Sequence, residues 1–160
     1  MSDPLATYLH DHLSGAVVAI NLLEALRDEH AGEPLGQFAE GLRAEVEADR
    51  AVLQGLAERV GAGSSALKEA TAWLGEKVSR LKLGSDTAGE LGTFEALDTL
   101  ALGILGKLAL WRALAVVAET DARLRGIDYD SLAARAQAQH ARVEERRIEA
   151  ARTALQAAPG

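Results

Sequence analysis

The chain has 160 residues, of which 48% are apolar and 4% aromatic, enough for one hydrophobic core built from aliphatic side chains. Its formal net charge of −7 argues against a broad surface for nucleic acid or anionic membrane, since both require concentrated positive charge. The absence of cysteine excludes disulfides, thiolate metal ligands and a cysteine nucleophile. We therefore expect a single domain over residues 1–160. The N-terminus lacks the basic stretch followed by an apolar run that marks a signal peptide, so we expect the protein in the cytoplasm.

Abundant alanine, leucine, glutamate and arginine, with three prolines, predict helix along almost the whole chain. Asp3 before Pro4 marks the start of a first helix, because the carboxylate caps free N–H groups and proline is tolerated at the first helical position. This helix is predicted to reach about His30. Pro34 then opens a second helix over residues 35–60. The short connection makes the two helices antiparallel neighbours.

The next part of the chain predicts a connection between two halves of the fold. A shorter amphipathic helix is expected from Ser64 or Ser65 to about Leu83, with a length of about 27 Å. The glycine-rich stretch over residues 84–92 is predicted to be an extended loop. We expect this helix and loop to cross the outside of the fold.

The stretch over residues 94–118 is the most apolar of the chain. Its large side chains point in nearly all directions around a helix, so we predict a central helix that is surrounded on every side. Thr93 is expected to cap this helix, which is predicted to reach about Leu124. The last helix is predicted from a cap at Asp128 or Asp130 to about residue 157.

The central helix is also long enough to cross a membrane. Lys107 and Arg112 oppose that interpretation, because each would cost about 2.5–3.5 kcal/mol near the middle of a spanning helix. We therefore predict the core helix of a soluble protein, with both cations buried.

Four long helices and one crossover helix predict an all-α four-helix bundle with up-down-down-up order. In this architecture the chain resembles the ferritin-like superfamily, whose bundles join two helical hairpins through a long crossover. Members that bind two irons use Glu-x-x-His pairs, which this sequence lacks. Gln137 precedes His140 by three positions, and Leu9 precedes His12. The iron chemistry of the superfamily is therefore not carried over.

Several polar side chains are predicted to project into the core. We interpret them as a buried ion-pair network, because three cations at one level would repel a metal ion and already neutralise the carboxylates. The members of this network are His12, Glu45, Asp49, Lys107, Arg112, His140, Glu144 and Arg147. The alternative is a site for iron or another divalent transition metal, with nitrogen and oxygen ligands from His12, Glu45, Asp49, His140 and Glu144.

No nucleophile elbow or phosphate loop stands out, so we predict a non-enzymatic protein with an interaction or structural role and no cofactor. The alternative is a ferritin-like metal-binding protein that handles iron or oxygen. Val17 and Val18 interrupt the polar face of the first helix, and Gly15 beside them permits close approach. We therefore predict a homodimer through the first two helices, with no nucleic-acid or membrane partner.

Overall fold

The computed structural model describes residues 3–61 and 87–157, and in these ranges the chain forms four long helices and one 3-10 turn. The helices are α1 (Pro4–Glu29), α2 (Pro34–Val60), α3 (Thr87–Val117) and α4 (Tyr129–Ala154), and the turn covers Ala122–Leu124. No strand occurs in the described ranges. The predicted all-α class with four long helices is confirmed, whereas the predicted crossover helix lies outside the described residues.

Local capping explains where three of the helices begin or end. The backbone N–H of Leu5 donates to the Asp3 carboxylate at 2.9 Å, and that of Ser131 donates to Asp128 at 3.0 Å. Each carboxylate satisfies an N–H group that has no partner within its helix. Gly61 ends α2 with φ of 82°, a left-handed conformation that glycine adopts without strain. These ends agree with the sequence-based boundaries.

The predicted bounds of the central helix are wrong at both ends. α3 begins at Thr87, so the predicted loop is already helical there, and Thr93 lies buried inside the helix instead of capping it. Of residues 89–93 at this end of the helix, only Gly92 and Thr93 are buried, whereas Glu90 and Leu91 are exposed. At the other end the Asp121 carboxylate accepts a hydrogen bond from the backbone N–H of Arg123, which supports a separate 3-10 turn after Val117.

Contacts at the helix ends establish how the helices run. Arg123, just beyond α3, binds Asp3 at the start of α1 with an N–O distance of 2.7 Å. At the opposite end, His30 Nε2 lies 3.1 Å from the Thr93 hydroxyl. α1 and α3 are therefore antiparallel. Arg59 donates to the backbone carbonyl of Arg125 at 3.0 Å, so α2 and α3 end at the same side of the molecule.

The core between the helices is aliphatic, as the composition predicts. Its largest member is Trp111, which is 1% exposed and lies 6.4 Å from the ring of Tyr129 between ring centroids. Leucines of α1, α2 and α3 supply most of the remaining volume, whereas α4 contributes Tyr129, Ala136 and Val143. The fully buried leucines are Leu9, Leu22, Leu23, Leu26, Leu42, Leu56, Leu97, Leu110, Leu114 and Leu124.

α3 is not surrounded on every side by the residues that the structure describes. Leu102 is 65% and Val116 is 66% exposed, and Arg112 is exposed beside them. The predicted burial of Arg112 is wrong, because α3 packs against α1 and α4 on two sides and the described residues leave its third face open. By length and composition, residues Gly89–Val117 would suffice to cross a membrane, a property shared with the core helices of many soluble proteins.

Candidate functional site

Three polar side chains occupy core positions on three different helices. Each stands where the spacing of three and four residues calls for an apolar side chain. Asp49 lies between Val46 and Leu53, Lys107 between Ile104 and Trp111, and Gln139 between Ala136 and Val143. Their positions bring all three to one level of the interior.

Asp49 is the centre of this group and is 3% exposed. Lys107 Nζ donates to Asp49 Oδ2 at 2.7 Å, and Gln139 Nε2 donates to the same oxygen at 3.2 Å. Arg135 Nη2 donates to the other carboxylate oxygen, and Lys107 also donates to Gln139 Oε1. Two cations and one amide thus compensate for the removal of this carboxylate from water.

A second carboxylate extends the group toward solvent. Arg142 donates to both oxygens of Glu45, at 2.8 and 2.9 Å, and Gln139 Nε2 lies 3.5 Å from Glu45 Oε1. The hydrogen bond from Arg142 lowers the pKa of Glu45. We call the six residues Glu45, Asp49, Lys107, Arg135, Gln139 and Arg142 the polar layer.

The polar layer carries more positive than negative charge. Its three cations, Lys107, Arg135 and Arg142, face two carboxylates, which leaves one positive charge in excess. Burial lowers the pKa of Lys107 even though Asp49 opposes this shift. The charge of Lys107 is therefore incompletely compensated by its partners.

The structure separates several residues that the sequence places together. Arg147 forms its own cluster with Glu144 at 2.7 Å and Asp98 at 3.1 Å, which joins α4 to α3. His12 packs edge-on against the ring of Tyr8, with ring centroids 4.6 Å apart, and burial lowers the pKa of His12. None of these side chains belongs to the polar layer. The same holds for His140, which is half-buried, and for Arg112, which is exposed.

The five side chains of the alternative metal site also do not form one group. Glu45 and Asp49 bind cations in the polar layer, whereas Glu144 binds Arg147. Across residues 3–61 and 87–157, no group of three or more His, Cys, Asp or Glu side chains is placed to hold a metal ion.

Sequence reasoning missed three members of the polar layer, Gln139, Arg135 and Arg142. The burial of Gln139 could have been predicted, because it continues the three-and-four spacing of Tyr129, Leu132, Ala136 and Val143. Arg135 had no such signal, since its side chain is 38% exposed and reaches Asp49 from the edge of the stripe. Arg142 had none either, since its side chain is 44% exposed and binds Glu45 from the outer side of α4.

A cavity of about 480 Å³ lies beside the polar layer, between α1, α2 and α3. Small residues of α1, namely Gly15, Ala16 and Ala19, line it, and their size explains the space. Lys107 and Asp49 form part of its wall. Val18 also lines the cavity and packs against the core, so its predicted outward position is wrong.

Two carboxylates outside the polar layer have strongly lowered pKa values. Hydrogen bonds from Arg43 and Arg27 lower the pKa of Glu40 to about 2, and Arg123 lowers that of Asp121 to about 2. Both values lie below those of the unfolded chain, so these groups favour the fold once the unfolded chain has lost its protons. That stabilisation is lost as pH falls through the folded-state values.

We expect the urea midpoint of unfolding to fall as pH decreases from 4.5 toward 2, the interval between the ordinary and the folded-state pKa of Glu40. Urea titrations followed by circular dichroism at several pH values measure this. Glu40→Gln should show a shallower fall, because it removes one group whose pKa is shifted. A midpoint that stays constant down to pH 2 would contradict the linkage.

Comparisons with protein-family models, with curated proteins and with solved structures find no match for this chain. The polar layer and the cavity are therefore the features of the described residues that bear on function.

Proposed function

We propose that this protein is a non-enzymatic helical bundle in which the polar layer stands where ferritin-like proteins have a metal site. The observation that carries this proposal is Asp49, a buried carboxylate whose two oxygens accept from Lys107, Gln139 and Arg135. Donors of the protein itself thus occupy three of the about four acceptor sites of this carboxylate. In this proposal the protein has a structural role or interacts with another molecule.

The helix directions support a ferritin-like order. With α1 up, α2 runs down as its hairpin partner, and α3 runs antiparallel to α1. α4 returns upward, because α2 meets it in opposite order: Glu45 pairs with Arg142 and Asp49 with Arg135. In this proposal residues 64–83 form the crossover between the two hairpins.

Charge also favours an ion-pair layer over a metal. One excess positive charge among the groups of the polar layer repels a divalent cation. Lys107 would have to lose its proton to remove that repulsion. The Asp49 carboxylate, 2.7 Å from Lys107 Nζ, opposes this loss.

Elemental analysis of protein purified from iron-supplemented cells tests the proposal. We expect far less than one transition-metal ion per chain, because the carboxylates that a metal needs are held by arginine and lysine. About one or two ions per chain, lost in Asp49→Ala or His140→Ala, would overturn the proposal in favour of a metal-binding protein that handles iron or oxygen.

Association of two copies through α1 and α2 stays a prediction. Gly15 is exposed and Val17 half-buried, so both remain available for a contact. Val18 packs against the core, which leaves a smaller apolar patch than the sequence suggests.

A further inference from the structure

We propose that the cavity beside the polar layer binds an amphipathic carboxylate, a molecule with a hydrocarbon body and one anionic head group. This inference goes beyond the proposed function, since an ion-pair layer holds the bundle together whether or not a ligand is bound. It rests on the shape of the cavity, the composition of its wall and the charge at one part of that wall.

The cavity has the size and surface of a small-molecule site. Its volume of about 480 Å³ falls in the range of roughly 300–1,000 Å³ that is usual for such sites. Aliphatic side chains from all three helices form most of the wall, among them Leu22, Leu53 and Ile104. A hydrocarbon body placed there would leave water and gain contact with these side chains.

The charged part of the wall identifies the head group. Lys107 and Arg50 bring two positive charges to the cavity, and Asp49 brings one negative charge. Asp49 is already shared with Arg135, so it does not fully neutralise Lys107. This part of the wall is positive, although the whole chain has a net charge of −7.

A carboxylate fits this wall better than an uncharged alcohol or a positively charged ammonium group. It would neutralise the excess charge and accept charge-assisted hydrogen bonds from lysine or arginine. An alcohol forms weaker hydrogen bonds because it carries no charge, and an ammonium group would be repelled by both cations.

Isothermal titration calorimetry of the full chain with decanoate, 1-decanol and decylamine, all below micelle-forming concentrations, tests the inference. We expect decanoate to bind at about one molecule per chain, and at least about tenfold more tightly than decanol, as the loss of one charge-assisted hydrogen bond implies. Decylamine should bind more weakly still. No binding of decanoate, or equal binding of decanoate and decanol, would overturn the inference.

Two pairs of variants locate the binding. Gly103→Phe should abolish decanoate binding, because Gly103 lines the cavity and the phenyl ring would fill part of it. The helix should tolerate the substitution, since an added Cβ at Gly103 meets nothing within 4 Å. Gly41→Phe is its control: this exposed helical glycine has equal space around it but lies away from the cavity. Arg50→Gln should weaken decanoate binding about tenfold, whereas Arg59→Gln on the same helix should not. Unchanged affinity in Gly103→Phe would place the binding elsewhere and refute the site.

Discussion

Replacing Asp49 by leucine should lower the free energy of unfolding by about 3–5 kcal/mol, the cost of removing one partner from a buried ion pair. Lys107 would then keep its charge in the interior without its closest carboxylate, which lies 2.7 Å from Nζ in the native protein. Gln139 would lose the nearer of the two acceptors of its amide, which lies at 3.2 Å. Urea unfolding followed by circular dichroism measures the change.

A matched control separates burial from charge. Glu47 is a carboxylate on the same helix, but its side chain is 45% exposed, and its half-buried partner Arg43 also pairs with Glu40. Glu47→Ala should change the stability by less than about 1 kcal/mol, as exposed ion pairs usually do. Equal shifts in Asp49→Leu and Glu47→Ala would contradict a special role for the buried layer.

The double variant Asp49→Leu with Lys107→Met tests whether the pair itself is responsible. Replacing both charges by apolar side chains of similar volume is often neutral or stabilising, so the double variant should be more stable than Asp49→Leu alone. Arg135 can turn to water, because its side chain is already 38% exposed. A double variant that loses the sum of the two single effects would show that Asp49 and Lys107 act independently.

The positions of Asp49 and Lys107 in the interior are predictable from the sequence for one physical reason. Each interrupts a regular stripe of apolar residues, and a helix that packs along this stripe must bury whatever stands in it. The exposure of Arg112 could not be predicted in this way. α3 is apolar on several faces, so its sequence does not reveal which face meets its neighbours, and only the packing against α1 and α4 decides that Arg112 is exposed.

Partners and cavities are harder to predict than burial. Arg135 and Arg142 each reach a carboxylate of α2 from α4, and those distances depend on how the two helices are placed in space. The cavity likewise depends on small residues of α1 facing the polar layer. Helical periodicity gives the direction of a side chain within its own helix, but it does not give the offset between helices.

Gly36 shows the same limit at the hairpin between α1 and α2. A Cβ built at Gly36 would lie 2.2 Å from the backbone carbonyl oxygen of His30 and 3.2 Å from that of Arg27. The first turn of α2 therefore packs directly on the end of α1, with no room for a side chain. In the sequence, Gly36 looks like any other glycine near a helix start, because the contact is made by backbone atoms of the last turn of α1 and of His30 just after it.

Gly36→Ala should therefore destabilise the protein by about 1–3 kcal/mol or more, since the added methyl group forces the backbone of α1 or α2 to shift. Gly41→Ala and Gly55→Ala on the same helix should do the opposite and stabilise it by about 0.5–1 kcal/mol, because an added Cβ there meets nothing within 4 Å and alanine favours the helix. Urea midpoints of the three variants measure this difference in sign. If all three variants were more stable than the native protein, the close contact between Gly36 and the end of α1 would be refuted.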